Sequence, residues 1–402
     1  MLQITDLQVE QKMWPLLRQA FRPMFLLGAS FSAIAMLLWI LVLSGQVSLP
    51  VYGQVMFWHA HEMIFGFVAA IIVGFLLTAV QNWTGLRATH GRALGILTVV
   101  WLSGRLFMLF GAGLPTWLVA AVDLSFLPLA AILLAVPLIR VKQQRNLFFV
   151  PVLFLLTFCN ALMHYGLVSG RFDIQQLGSQ NAVWLVTLLM AIVGGRVLPM
   201  FTANGTMTQK AQPIEWLDRI GLGSLWLIFI LNITLFSAQL PNGVMAALYG
   251  ISAVALGIRC LRWRIWITLR VPLLWSLHVA YWFIPVGLAL FALRELGITS
   301  ITNSIALHAL TAGAMGNMIL AMIARVSLGH SGRPLQPKAI MSLAFLLVIS
   351  AALSRVVLTW LVPDLAMSWL VFAAATWIIA YTIYVVVYLP ILITPRPDGR
   401  PG

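Results

Sequence analysis

Charge is scarce in this 402-residue chain: Asp, Glu, Lys and Arg make up 8% of it, and only ten residues are acidic. Soluble domains carry about 25% charged residues. So few charges cannot cover a soluble surface of this size, which excludes a cytosolic globular enzyme and a disordered chain. Cysteine is nearly absent. Cys159 and Cys260 fall in different apolar segments without a CxxC spacing, so neither a disulfide framework nor a cysteine metal site is indicated. The chain also lacks a glycine-rich phosphate loop with its Lys, paired catalytic carboxylates and a G-x-S-x-G elbow. Short alternating strands are missing too, which excludes an outer-membrane barrel.

Long apolar runs are what the chain has, at 61% apolar residues overall. Twelve segments are long enough to span a bilayer: Pro23–Ser44, Phe57–Val80, Arg92–Phe110, Leu114–Ile139, Leu147–Ser169, Asn181–Phe201, Leu217–Phe236, Asn242–Ile258, Val271–Leu293, Ile301–Arg325, Ile340–Leu361 and Leu365–Leu389. The expected architecture is an all-α polytopic membrane protein of about twelve helices. Residues 1–22 read as a cytoplasmic lead-in without a signal-peptide pattern, 23–393 as the transmembrane domain and 394–402 as a cytoplasmic tail.

A net charge of +14 would suggest nucleic acid in a soluble protein. Here it sorts by topology. Twenty of the 24 Lys and Arg fall in the even-numbered loops and the terminal segments. Arg171 and Arg294 lie on the opposite side, and Arg105 and Arg355 lie inside spans. The positive-inside rule therefore predicts both termini cytoplasmic, and the basic excess needs no nucleic-acid partner. The bilayer is the expected partner. A weak internal echo accompanies this pattern: a shift of 247 positions lays His61, Gly66 and Gly85 over His308, Gly313 and Gly332.

Ionisable groups inside a bilayer are costly, so each is a functional candidate. Of seven histidines, His90 and His330 fall in cytoplasmic loops and read as solvated. His59 and His61 stand at the outer mouth of span two, within Trp58–Met63. Helical neighbours two apart point about 200° apart, so both cannot ligate one metal from a regular helix. Glu62 beside them can orient an imidazole. His164 lies near the outer end of span five with Asn160 one turn earlier, and His278 lies in the inner half of span nine beside Tyr281 and Trp282. Either is a metal ligand or a satisfied interhelical hydrogen-bonding group. His308 sits in the outer third of span ten, with Thr311, Ala312, Met315, Met318 and Met322 continuing its face. Met with His suits copper(I), imidazole suits haem iron, and a methionine stripe also suits plain core packing. The candidate metal ligands are therefore His59, His61, His164, His278, His308 and Met315. Arg105, Arg355 and Asp123 are the remaining charges well inside spans. A buried Arg needs an anion, and Asp123, Glu62 or a ligand carboxylate can serve. The Gly-Gly-Arg-Val-Leu-Pro-Met-Phe stretch, Gly194–Phe201, ends span six, with Pro199 expected to break the helix.

Several blocks together resemble the NnrS family: Phe21–Phe25, Trp58–Phe67, Gly74–Gly85, Gly194–Phe201 and His308–Leu335. The resemblance implies a bacterial inner-membrane protein that contains haem b and copper and acts in nitric oxide metabolism, denitrification and tolerance of nitrosative stress. A more distant likeness is to the haem-copper oxidase and nitric oxide reductase fold, where histidines of spans two and ten hold a haem. His61 and His308 match that placement, whereas spans six and seven lack the histidines that would hold its copper. The leading expectation is thus a membrane protein that binds or processes nitric oxide or nitrosyl species, with His61 and His308 as haem ligands and Arg105 or Arg355 on the propionates. The competing class is a cofactor-free exporter or transporter of a small molecule.

Overall fold

In the computed structural model, residue 8 and residues 11–400 are described. The ends of the expected lead-in and tail, residues 1–7, 9–10 and 401–402, lie outside the described residues. Among the described residues, twelve helices are long and apolar enough to cross a membrane. They are α1 (Phe21–Leu43), α2 (Val55–Thr84), α3 (Gly91–Phe110), α4 (Thr116–Arg140), α5 (Gln144–Val168), α6 (Phe172–Thr206), α7 (Glu215–Ile233), α8 (Asn242–Leu261), α9 (Pro272–Glu295), α10 (Asn303–His330), α11 (Ala339–Leu361) and α12 (Pro363–Ile393). No strand occurs among the described residues. Each matches one expected span, because a bilayer demands internally satisfied backbone and only helices of this length supply it in a chain without alternating strands. The protein is a multi-pass helical membrane protein.

Both expected bounds of span six move. α6 begins at Phe172, ahead of Asn181, and continues through Pro199 to Thr206 instead of ending there. Proline removes one backbone donor, but in hydrocarbon an unwound backbone would lose more bonds than that one. Neighbouring helices hold α6 on either side of it: Arg259 of α8 donates to the Ala191 carbonyl at 2.8 Å, and His278 of α9 bonds the Thr202 hydroxyl at 2.8 Å. The Gly pair has a packing reason. A Cβ on Gly194 would come within 2.9 Å of the Tyr281 ring, and one on Gly195 would overlap the Arg259 guanidinium.

The chain forms two compact units. The first comprises Met1–Ser179, Ile323–Gln336 and Tyr381–Gly402; the second comprises Gln180–Met322 and Pro337–Ala380. In the first, α1 crosses α2 closely, since a Cβ on Gly74 would lie 2.7 Å from Met24. Fully buried Arg22 clamps the end of α12 by donating to the carbonyls of Leu392 and Thr394, both at 2.8 Å. In the second, α8 packs along both α7 and α9. There Arg259 joins Asp218 of α7 at 2.8 Å and reaches the Tyr281 hydroxyl at 3.1 Å.

Backbone irregularity is concentrated at a few places. α2 opens into a wide π-type turn over Glu62–Val68, α10 does so over Ala309–Gly316, and α11 over Ser354–Leu358. The first two correspond under the 247-residue shift, each beginning directly after a histidine, His61 or His308. The glycines in them are also pressed by matching neighbours. Gly66 lies against Phe31 of α1, and Gly313 against Phe283 of α9. Gly85 and Gly332, paired by the same shift, both adopt positive φ, 68° and 70°. The sequence echo is therefore an echo of local structure.

Candidate metal centre

The first unit brings six polar side chains together near the start of α2 and α4 and the end of α3 and α5. Three features of the chain put them there. The π-type turn inserts an extra residue per turn and re-aims the side chains of α2, a device common at functional sites. Gly66 within that turn lets Arg105 of α3 approach, as a Cβ there would lie 2.6 Å from its Nη1. Trp101 of α3 holds the turn by donating its indole N–H to the Gly66 carbonyl at 2.9 Å. Asp123 sits in α4 just before Ser125, where the helix changes course between Leu124 and Phe126.

Arg105 bridges two carboxylates, Glu62 Oε1 at 2.5 Å and Asp123 Oδ1. His61 is fully buried and contacts both acids as well: Nδ1 lies 2.9 Å from Glu62 Oε1, and Nε2 lies 3.1 Å from Asp123 Oδ2. His164 of α5 brings its Nε2 to 3.2 Å from the same Oδ2. Asn160, one turn earlier, donates its amide N–H to Asp123 Oδ2 at 2.7 Å. That donation turns its Oδ1 toward His61 Nε2, at 2.8 Å. The Tyr52 hydroxyl stands 3.4 Å from His164 Nδ1. Phe57 and Phe65 flank the His61 ring at 5.5 and 5.2 Å.

The arithmetic of donors and charges is informative. A carboxylate only accepts, so His61 Nδ1 donates to Glu62. Its Nε2 then faces two more acceptors, Asp123 Oδ2 and Asn160 Oδ1, and satisfies them only when a positive centre, an N–H or a metal ion, lies between. Two carboxylates also face one guanidinium, so the cluster balances when a second cation joins it, either the His61 imidazolium or a metal ion. Glu62 Oε2 is buried with no hydrogen-bond partner.

The donor atoms suit a metal ion. Ligand atoms of His61, Asp123 and His164 lie within 4.8 Å of one another, the one such His/Cys/Asp/Glu group among the described residues. Two imidazoles and a carboxylate suit copper, non-haem iron or zinc. Glu62 holding the far nitrogen of His61 is the usual arrangement around a metal-ligating histidine.

The other sequence candidates lie elsewhere. His59 belongs to the same helical run as His61, yet its ring stacks on Trp39 at 4.2 Å, so the two histidines have different partners. His278 bonds Thr202 through Nε2 in the second unit. His308, also in the second unit, donates Nδ1–H to the Ser304 carbonyl at 2.7 Å. Arg355 of α11 donates to the hydroxyl of the same Ser304 at 2.7 Å. Met315, Met318 and Met322 are buried in the helix-packing core. Arg105 takes both nearby acids, where the sequence suggested that it and Arg355 might share them. His330 is the last residue of α10, and its ring lies 5.7 Å from Phe21, so it is not a plain loop residue. Sequence reasoning named Asp123 and Asn160 but missed that they meet His61 and His164, and it missed Tyr52. The available signal was that Asp123 is a carboxylate inside a span with two polar residues at helical spacing on α5.

Fold and site together define a polytopic membrane protein with a buried histidine–carboxylate centre. The family model described as NnrS protein matches residues 15–396, nearly the whole chain, and the chain belongs to the NnrS family. No curated protein matches it.

Proposed function

We propose that this protein is a metal-binding protein of the bacterial inner membrane that binds or processes nitric oxide or nitrosyl species, and so protects against nitrosative stress. The observation that carries the reading is the convergence of His61 Nε2, His164 Nε2 and Asp123 Oδ2 on one buried point. Copper fits this donor set, and His61, His164 and Asp123 would hold it. Glu62 fixes the His61 ring, Asn160 orients Asp123, and Arg105 holds both acids in place. Three protein ligands leave a position open for a small diatomic.

Haem finds a different residue. His61 does not suit an axial haem position as arranged, because its Nε2 faces Asp123 and Asn160 within the copper site and Phe57 and Phe65 flank the ring. His308 does suit it: its Nδ1–H is pinned by a backbone carbonyl, which presents Nε2 as the ligand atom. Haem there would supply a ferrous iron that binds nitric oxide.

Metal analysis and an optical spectrum of the purified protein test both assignments. The expected result is bound copper that His164→Ala and Asp123→Asn abolish while a haem band persists, and a haem band that His308→Ala abolishes while copper persists. A colourless, metal-free, folded protein would overturn the reading and favour a transporter.

A further inference from the structure

The two π-type turns that correspond under the 247-residue shift stand in sites of opposite charge demand. Each begins directly after a histidine, and each is followed on the next helix by an arginine near its end, Arg105 five residues before the end of α3 and Arg355 six before the end of α11. In the first unit Arg105 is matched by Glu62 and Asp123. In the second, the position of Glu62 is taken by Ala309, a methyl group. No carboxylate pairs with Arg355 among the described residues; its hydrogen-bond partner is the Ser304 hydroxyl. Among the described residues, the acids of that unit are engaged elsewhere or form no ion pair with it. Glu215 pairs with Arg219, Asp218 with Arg259 and Glu295 with Arg294, and Asp364 is exposed at the start of α12.

A guanidinium inside a span without a counter-charge is costly and needs an anion. We infer that Arg355 and Ser304 form a binding site for a small planar oxyanion, a class that includes nitrite and carboxylates. The guanidinium fork matches two oxygens of such a group, and the serine hydroxyl adds a donor beside it. The site is reachable, as Ser304 is exposed and Arg355 and His308 are half-buried. Ser304 also places His308 next to the bound anion, since its carbonyl holds the imidazole and its hydroxyl contacts the guanidinium. Trp360, bonded to the Ser300 hydroxyl at 3.2 Å, lies five residues beyond Arg355 on the same helix. The inference does not require metal at the His61 centre.

The test is calorimetric titration of the full-length protein in zwitterionic-lipid nanodiscs with sodium nitrite and, separately, sodium formate. Saturable binding is expected. Arg355→Gln should weaken it about 10- to 100-fold, the scale of losing hydrogen bonds to a charged group. Arg355→Lys should recover part of the loss, Ser304→Ala should cost several-fold while leaving the guanidinium in place, and Arg294→Gln should change nothing. Equal binding by Arg355→Gln, or none by the parent protein, overturns the site. Two arms separate the sources of the anion. Binding that survives both haem loading and replacement of the lipid by phosphatidylglycerol supports a free oxyanion. Loss on haem loading assigns Arg355 to a haem carboxylate, loss in the anionic lipid assigns it to a lipid phosphate, and either overturns the inference.

Discussion

Replacing Arg105 with Met should destabilise the metal-free protein by about 3–5 kcal/mol, the cost of breaking a buried ion pair by removing one partner. The structure supports that size. Arg105 is only 5% exposed and donates to two carboxylates, Glu62 and Asp123. Hydrogen bonds to charged groups contribute about 1.5–3 kcal/mol each, so two give roughly 3–6. Met fills much of the space beside Phe31 and Trp101, which keeps cavity formation small. The loss is therefore electrostatic, and it should be reversible by chemistry. Adding Glu62→Gln and Asp123→Asn to Arg105→Met removes the unpaired charges, and most of the lost stability should return, because neutral amides cost far less to bury than ions. The assay is equilibrium unfolding in mixed detergent, followed by circular dichroism on chelator-treated samples so that metal loss does not contribute. A single variant within about 1 kcal/mol of the parent, or a triple variant no better than the single, would refute the reasoning.

Other outcomes follow from single contacts. Trp101→Phe keeps the ring but drops the donor to the Gly66 carbonyl, and should cost about 1 kcal/mol in the same unfolding assay and loosen the turn that carries Glu62. Gly195→Ala should reduce stability and the yield of monodisperse protein, since the new methyl meets a guanidinium pinned by Asp218, Ala191 and Tyr281. In the tail, hydrogen bonds from Arg396 hold the Asp398 carboxyl down at about 2. A lowered native value adds stability that is present at neutral pH and is lost as pH falls from about 4 to about 2. Carbon-13 NMR of labelled Asp398 should show that low titration, moving toward the ordinary aspartate value in Arg396→Ala; an unchanged midpoint would contradict the contact.

The twelve helices were readable because a bilayer reduces fold to length and polarity. Runs such as Phe57–Val80 or Leu365–Leu389 have no other stable form in hydrocarbon. The echo between spans two and ten was readable as three matched residues, His61, Gly66 and Gly85 with their counterparts. What could not be read was pairing. Arg105, Arg355, Glu62 and Asp123 present four charges on four helices, and hydropathy says nothing about which faces meet. Nor does periodicity reveal a π-type turn, since Glu62–Val68 carries an ordinary helical sequence and its extra residue is stabilised by Trp101 and by the close approach of Arg105 to Gly66. That turn lets His61 and Glu62, adjacent in sequence, serve one cluster, which a regular helix would have set well apart. Pro199 failed as a stop signal because hydrocarbon offers an unwound backbone no other partners, so the helix runs on past the one bond that proline removes.

The two histidine-led turns make a physical point about how one local design can hold two different ligands. Position and backbone are alike, with a histidine, a widened turn, a glycine pressed by an aromatic ring of a neighbouring helix, and an arginine on the following span. Only the counter-charge differs. With Glu62 and Asp123 present, the first site is balanced by a second cation, the His61 imidazolium or a metal ion. With Ala309 and Leu370 in place of the two acids, the second carries one positive charge too many, and an anion completes it. In water such a difference would be worth little, but inside a low-dielectric helix bundle an unmatched unit charge outweighs most other single interactions. The sign of the ligand is therefore set by two side chains, Glu62 and Asp123 in one copy and Ala309 and Leu370 in the other. Placing an acid beside the guanidinium, as Ser304→Asp, should pair Arg355 internally and abolish oxyanion binding without touching the guanidinium. Undiminished nitrite binding by that variant would show that charge balance is not what selects the ligand.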